Sequence, residues 1–115
     1  MTDLEELRDK LRKIAAERDW DQFHSPKNLA MSVSIEAGEL LEIFQWLTEE
    51  QSRALTPEAR QAVAEEIADV LLYLVRLGDQ LGIDLAAAAR SKLVANAQKY
   101  PVEKARGSNK KYNEL

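Results

Sequence analysis

Two short acidic pairs, Glu36 with Glu39 and Glu66 with Asp69, are the residues of this sequence best suited to chemistry. The members of each pair are three residues apart inside an apolar pattern typical of a helix, so their carboxylates lie on one face. If the two helices fold back antiparallel, with the turn near residues 52–53, the pairs lie level with each other. Four carboxylates in one patch repel one another and are costly to bury. The spacing therefore predicts a bound divalent cation.

The available donors restrict the cation that this patch would bind. The chain has no cysteine and a single histidine, so the ligands would be oxygen atoms, which favour Mg²⁺, Mn²⁺ or Ca²⁺. Mg²⁺ usually keeps waters and is completed by phosphate oxygens, which suggests a phosphate ester as the substrate. Glu42 could add a further ligand, whereas Glu65 is turned about a hundred degrees from Glu66 and is expected in solvent. The alternative interpretation is that these acids are ordinary solvated glutamates of surface helices.

Aromatic residues form a second candidate feature. Trp20, Phe23 and His24 lie in one interhelical loop, whereas Trp46 and Tyr73 lie on the two helices that carry the acids. Because indole rings stack well on nucleobases, these side chains could line a base pocket. The alternative is that the rings are core or interface aromatics and that the histidine is a structural hydrogen-bonding residue.

A third feature is the polar face of the last predicted helix. Lys92 and Asn96 share this face, Lys99 follows by three residues, and a basic tail comes after them. Lysines hold phosphate oxygens that a metal leaves uncovered, so this face is a candidate phosphate site. A solvated helix surface is the alternative.

Four helices must position these features, and each has a local start signal. Thr2 and Glu5 form a capping-box pattern, and Ser25-Pro26 and Thr56-Pro57 are cap-plus-proline starts. Asp84 caps the last helix. The predicted helices span residues 3–18, 26–47, 57–81 and 85–99, with a connecting loop over 48–56. We predict an all-α, four-helix bundle-like fold, with one domain over residues 1–101 and a polar, basic, flexible tail over 102–115.

Composition limits the function classes. A chain of 115 residues is one ordinary domain, and a net charge of −4 gives no electrostatic reason to expect nucleic-acid binding. The N-terminus carries no apolar signal region, and no apolar run approaches the roughly 20 residues that a membrane span needs. We therefore expect a cytoplasmic protein without a membrane or nucleic-acid partner. Acids on the apolar stripes of two helices suggest partner-dependent burial, so we also expect a homo-oligomer.

The sequence resembles the all-α nucleoside triphosphate pyrophosphohydrolases of the MazG type, and most closely their dCTP pyrophosphatase branch. The resemblance rests first on residues 36–46 and 65–74, which carry the E-x-x-E and E-x-x-D pairs. It extends to residues 17–29 before them and to the last helix and the tail after them, so that it covers nearly the whole chain.

The resemblance implies Mg²⁺-dependent hydrolysis of a (deoxy)nucleoside triphosphate between its α and β phosphates, with Mn²⁺ as a substitute ion. The products are a monophosphate and pyrophosphate, and the function is sanitation of the nucleotide pool. It also implies a homo-oligomer, a tetramer in this branch, with active sites at subunit contacts. The implied catalytic and metal-binding residues are Glu36, Glu39, Glu66 and Asp69. The implied substrate-binding residues are Trp20, His24, Trp46 and Tyr73 for the base and sugar, and Lys92 and Asn96 for the phosphates.

One departure leaves the preferred base open. Vertebrate members of this branch carry a histidine near the base pocket where this chain has Leu11. The same chemistry on another base, such as that of dUTP, or on a broad range of bases therefore stays an alternative to dCTP. A rival of a different class is a non-catalytic helical interaction module whose acids are merely solvated.

Overall fold

A computed structural model describes residues 1–115, and all of its regular elements are helical. The α-helices are α1 (Asp3–Glu17), α2 (Pro26–Phe44), α3 (Glu49–Ser52), α4 (Pro57–Leu81), α5 (Leu85–Lys99) and α6 (Val102–Ala105). Short 3₁₀ turns lie at Asp21–Phe23 and Tyr112–Glu114. The all-α class predicted from the sequence is confirmed. None of the helices combines the length and the apolar character that a membrane span requires.

The two helices that carry the acids begin in the same way. The Ser25 hydroxyl oxygen accepts the backbone N–H of Asn28 at the start of α2, and Thr56 accepts that of Ala59 at the start of α4. A proline occupies the first turn of each helix, where its missing N–H costs no hydrogen bond. The α4 helix ends at Gly82, whose φ of 66° is left-handed and therefore suits a residue without a Cβ atom. These local signals place both acidic pairs well inside long helices.

Two details between residues 44 and 56 differ from the sequence-based expectation. The α2 helix ends at Phe44 rather than near residue 47, and the segment expected as a loop over 48–56 contains α3. The Thr48 hydroxyl accepts the backbone N–H of Gln51, whose side-chain oxygen accepts the backbone N–H of Thr48. This reciprocal cap stabilises a helix of a single turn, which is too short to show a periodic apolar pattern.

The chain divides into two compact units, Met1–Ile83 and Asp84–Leu115. In the second unit, the Tyr112 ring meets Tyr100 edge-on at 6.3 Å, and the Lys99 ammonium lies 4.9 Å from the Tyr112 ring centre. The tail therefore folds back on the end of α5 and includes α6. The domain boundary predicted at residue 101 stays a prediction.

In the first unit, α4 packs along both α2 and α1. Its fully buried apolar residues are only Ala15, Leu29 and Val75. Large apolar side chains remain exposed in a stripe along α2 and another along α4. These are Met31 and Ile35 on α2 and Ile67, Leu71 and Leu74 on α4. The core is therefore small, and much apolar surface of the two acid-bearing helices is uncovered within one chain.

Candidate active site

An acidic cluster lies where α2 packs against α4. One carboxylate oxygen from each of Glu36, Glu39 and Glu66 lies within 4.8 Å of the others. Glu36 and Glu66 are half-buried, whereas Glu39 is exposed. Three of the four predicted metal ligands therefore meet in one patch, with one edge open to solvent.

Asp69, the fourth predicted ligand, lies beside this group rather than within it. Its side chain is exposed, and its negative charge helps to raise the pKa of both Glu36 and Glu66. Asp69 also lines the neighbouring cavity. It therefore connects the acidic cluster to the space beside it.

The electrostatics of the cluster are those of carboxylates that lack a counter-charge. The pKa of Glu36 is raised to about 7 by the close approach of the Glu39 side chain, by burial and by the charge of Glu39. Burial is also the main cause that raises the pKa of Glu66. The Oε2 atoms of Glu36 and Glu66 are buried and have no hydrogen-bond partner. Unpaired buried oxygens of this kind are uncommon, and a hard divalent cation such as Mg²⁺ or Mn²⁺ fits a donor set made only of carboxylates.

A cavity of about 190 Å³ lies beside Asp69 in the first unit. Its walls are mostly apolar and are formed by Leu11, Ile14, Ala15, Trp20, His24, Asp69, Leu72, Tyr73 and Arg76. Three of the four side chains expected around a base, those of Trp20, His24 and Tyr73, therefore share one space. The cavity is smaller than the roughly 300 Å³ or more of a typical small-molecule site, so it suits one ring of a ligand rather than a whole nucleotide.

The other candidate residues of the first unit, Trp46, Glu42 and Glu65, neither belong to the acidic cluster nor line the cavity. Trp46 follows the end of α2 and is 86% exposed. Glu42 and Glu65 are exposed outside the acidic cluster. Lys92 and Asn96 lie exposed on α5, in the second unit. A role for these residues in substrate binding stays a prediction.

The cavity wall also contains a charged residue that the sequence analysis missed. The Arg76 side chain is only 5% exposed, and its Nε donates a hydrogen bond to Nδ1 of His24 at 3.1 Å. A second nitrogen of the guanidinium donates to Asp21. The spacing in the sequence could have indicated Arg76 as a site residue. It follows Tyr73 by three residues and Asp69 by seven, which places all three on one face of α4.

Two further residues continue this network away from the cavity. Asp79 lies 3.6 Å from the Arg76 guanidinium and accepts two hydrogen bonds from Arg12 on α1, one of them at 2.7 Å. The hydrogen bond from Arg12 is the main cause that lowers the pKa of Asp79. Burial, followed by the charge of Arg76, lowers the pKa of His24. The network therefore fixes the cavity wall to α1 and favours a neutral imidazole.

Comparisons with known proteins identify the family of this chain. The chain is 47% identical to dCTP pyrophosphatase 1 of Mus musculus over 114 residues, which cover 97% of the chain and 67% of the mouse protein. The human protein of the same name is 45% identical with the same coverage. The crystal structure of a pyrophosphatase from Archaeoglobus fulgidus superposes with a TM-score of 0.82 at 44% identity. That match covers 88% of this chain and 94% of the archaeal one. A sequence model described as the MazG-like family matches residues 31–115, and the chain belongs to that family.

Proposed function

We propose that this chain is a Mg²⁺-dependent nucleoside triphosphate pyrophosphohydrolase that converts dCTP, or a modified dCTP, to the monophosphate and pyrophosphate. The observation that carries the proposal is an acidic cluster with two unpaired buried oxygens directly beside a ring-sized cavity. Mammalian relatives are named dCTP pyrophosphatase 1, and the archaeal neighbour is a pyrophosphatase. Both names support the enzyme class. Removal of unwanted nucleotides from a cytoplasmic pool is the role that goes with this chemistry.

The four acidic residues have different roles in the proposed reaction. Glu36 and Glu66 would hold the cation from opposite helices, with Glu39 and Asp69 completing the carboxylate set. When bound, a divalent cation supplies polarisation of the phosphoryl oxygens and neutralises charge on the departing pyrophosphate. Glu39 is the exposed member of the cluster, so it can hold the attacking water and accept its proton. The oxygen of that water bonds to phosphorus as the bond to the bridging oxygen breaks, and pyrophosphate leaves. The same carboxylates would also bind Mn²⁺, which would substitute for Mg²⁺.

The neighbouring cavity would receive the base. Trp20 and Tyr73 offer aromatic surface, and Leu11 adds an apolar contact in the wall. Trp46 would complete the pocket from a second copy of the chain, because its indole is exposed in a single copy. We assign Lys92 and Asn96 to the phosphates, since their side chains can donate hydrogen bonds to phosphate oxygens.

A homo-oligomer, with a tetramer as the proposed form, is part of this function. Its support is the apolar surface left exposed beside the acidic cluster, including Met31 at 54%, Ile35 at 60% and Ile67 at 52%. Apolar stripes of this kind mark interaction surfaces. We propose that α2 and α4 of neighbouring copies pack on these stripes.

A panel of nucleotides tests the function. Each (deoxy)nucleoside triphosphate is incubated with the chain and Mg²⁺, inorganic pyrophosphatase is added, and the released phosphate is measured. We expect dCTP to give the highest kcat/KM. A higher value for dUTP, or equal values for all bases, would favour the alternative base preferences. No release from any nucleotide, together with no heat of binding for a non-hydrolysable dCTP analogue in calorimetry, would identify a non-catalytic interaction module.

A further inference from the structure

Arg76 is the one charged residue of the chain that is fully buried. Its guanidinium is held by carboxylates on two sides, with a hydrogen bond to Asp21 and a 3.6 Å ion pair with Asp79. Its third contact is the hydrogen bond from Nε to Nδ1 of His24. Because two carboxylates fix the guanidinium, the imidazole must adapt to it rather than the reverse.

This contact determines which nitrogen of the imidazole carries the proton. An arginine side chain can only donate hydrogen bonds, and it stays protonated in proteins. Nδ1 of His24 must therefore supply a lone pair, which leaves the proton of the neutral ring on Nε2. With the opposite tautomer, an Nδ1–H group would face the guanidinium N–H, and both donors would lack an acceptor.

The remaining ring nitrogen is available to a ligand. No side chain or backbone group of the chain accepts a hydrogen bond from Nε2 of His24, and the residue lines the cavity. The charged groups around the ring are Arg76 and Asp21. The positive charge of Arg76 disfavours an imidazolium, whereas the negative charge of Asp21 favours it. Burial adds to the effect of the arginine, in agreement with a neutral donor.

We propose that Arg76 is a positioning residue that locks His24 as the Nε2–H tautomer, so that the cavity offers a hydrogen-bond donor to the ring bound there. The identity of that ring rests on the proposed function. Cytosine has acceptors at O2 and N3 that such a donor can meet. A ring that turned an N–H toward His24 would leave two donors unpaired, which is costly in a buried site. Arg76 would thus contribute to base recognition through His24, in addition to its place in the cavity wall.

The tautomer can be measured on the unaltered chain without nucleotide. His24 is the only histidine, so a long-range ¹H–¹⁵N correlation spectrum of the ¹⁵N-labelled protein reports a single imidazole. We expect one protonated nitrogen, Nε2, and one unprotonated nitrogen, Nδ1, at neutral pH. An Nδ1–H ring, an imidazolium, or a rapid average of the two neutral tautomers would overturn the proposal.

The Arg76→Met variant links the tautomer to binding. It removes the donors but keeps an unbranched side chain that reaches about as far as Nε, so we expect the imidazole signals to change toward the average of two tautomers. The KM for dCTP should rise about twofold, because a ring that averages two tautomers offers the Nε2–H donor only about half of the time, with a smaller change in kcat. A merely structural role would instead lower kcat through loss of folded enzyme and leave KM unchanged.

Arg60→Met is the matched control, because Arg60 is an exposed arginine of the same helix that makes no ion pair or side-chain hydrogen bond. We expect wild-type imidazole signals and kinetics from it. An unchanged Nε2–H tautomer in Arg76→Met would overturn the role of Arg76. If that variant does not fold, the spectrum of the unaltered chain decides. If no nucleotide is hydrolysed, the proposed function fails, but the tautomer spectra still confirm or refute the role of Arg76.

Discussion

Glu36 on α2 and Glu66 on α4 each hold one carboxylate oxygen, Oε2, buried and without a hydrogen-bond partner. The two residues occupy equivalent places, because each begins an acidic pair with a spacing of three and is its more buried member. Burial of a charge without a partner is unfavourable. The metal-free chain therefore carries a folding cost at this contact that a bound cation would remove.

The Glu36→Gln variant should show two effects: a higher stability without metal and a loss of stabilisation by Mg²⁺. Loss of one carboxylate reduces repulsion with Glu39 and Glu66, so the midpoint of thermal unfolding should rise by several degrees in EDTA. Addition of Mg²⁺ should raise the midpoint of the wild type and have little effect on the variant. Circular dichroism melts with and without Mg²⁺ measure both effects. A variant that is destabilised in EDTA and still gains stability from Mg²⁺ would contradict this account.

The Asp69→Asn variant should abolish turnover, with kcat/KM reduced by at least about a hundredfold. The amide keeps the shape of the side chain but removes the charge that lies between the acidic cluster and the cavity. Glu39→Gln should have a comparable effect, because it removes the group that can accept a proton from water. The measurement is pyrophosphate release by purified, folded protein. Glu65→Gln is the matched control and should behave as wild type. Normal activity of Asp69→Asn would remove the mechanism.

Local signals in the sequence account for the parts of the fold that were predicted correctly. The Ser25-Pro26 and Thr56-Pro57 starts depend on hydrogen bonds within one turn. They can therefore be identified without knowledge of the tertiary fold. The meeting of the acids followed from their spacing and from one assumption, an antiparallel return of the chain. The spacing is a local argument, whereas the antiparallel return is an assumption about the tertiary fold.

Two features of the structure, the buried Arg76 and the α3 helix, were missed. Arg76 looks like an ordinary exposed arginine in its helix, and its burial depends in part on a hydrogen bond to Asp21, 55 residues away. The α3 helix was missed for a different reason, since four residues show no periodicity. The role predicted for Trp46 stays a prediction, because its side chain is 86% exposed in one copy of the chain.

The Leu71→Lys variant tests the proposed assembly. Leu71 is 39% exposed and lies between Ile67 and Leu74 in the apolar stripe of α4. A lysine there would place a charge in the proposed interface and should lower the mass measured by light scattering toward that of a single chain. Gln61→Lys introduces the same residue at an exposed position of the same helix, and it should leave the mass unchanged. A wild-type chain that is monomeric at all concentrations would refute the assembly.

The contact between Arg12 and Asp79 predicts a specific dependence of stability on pH. The Asp79 carboxylate is 11% exposed and accepts two hydrogen bonds from Arg12. Replacement of this carboxylate by an amide in Asp79→Asn should lower the free energy of unfolding by about 1–2 kcal/mol at pH 7. This estimate is reduced from the usual range for charged hydrogen bonds because the arginine is half-exposed. Arg12→Gln should cost less, because Asp79 would still be paired with Arg76.

The sign of the pH effect follows from the lowered pKa of Asp79. Between the folded value and the ordinary value of 3.8, the unfolded chain binds the proton and the folded chain does not, so stability rises with pH. The difference in stability between wild type and Asp79→Asn should therefore be constant from pH 5 to pH 7. It should shrink as the pH falls below about 3.8. Urea denaturation of both proteins across this range measures the difference. A difference that stays constant down to the lowest pH at which both proteins fold would show that the Asp79 carboxylate is not held in its charged form by Arg12.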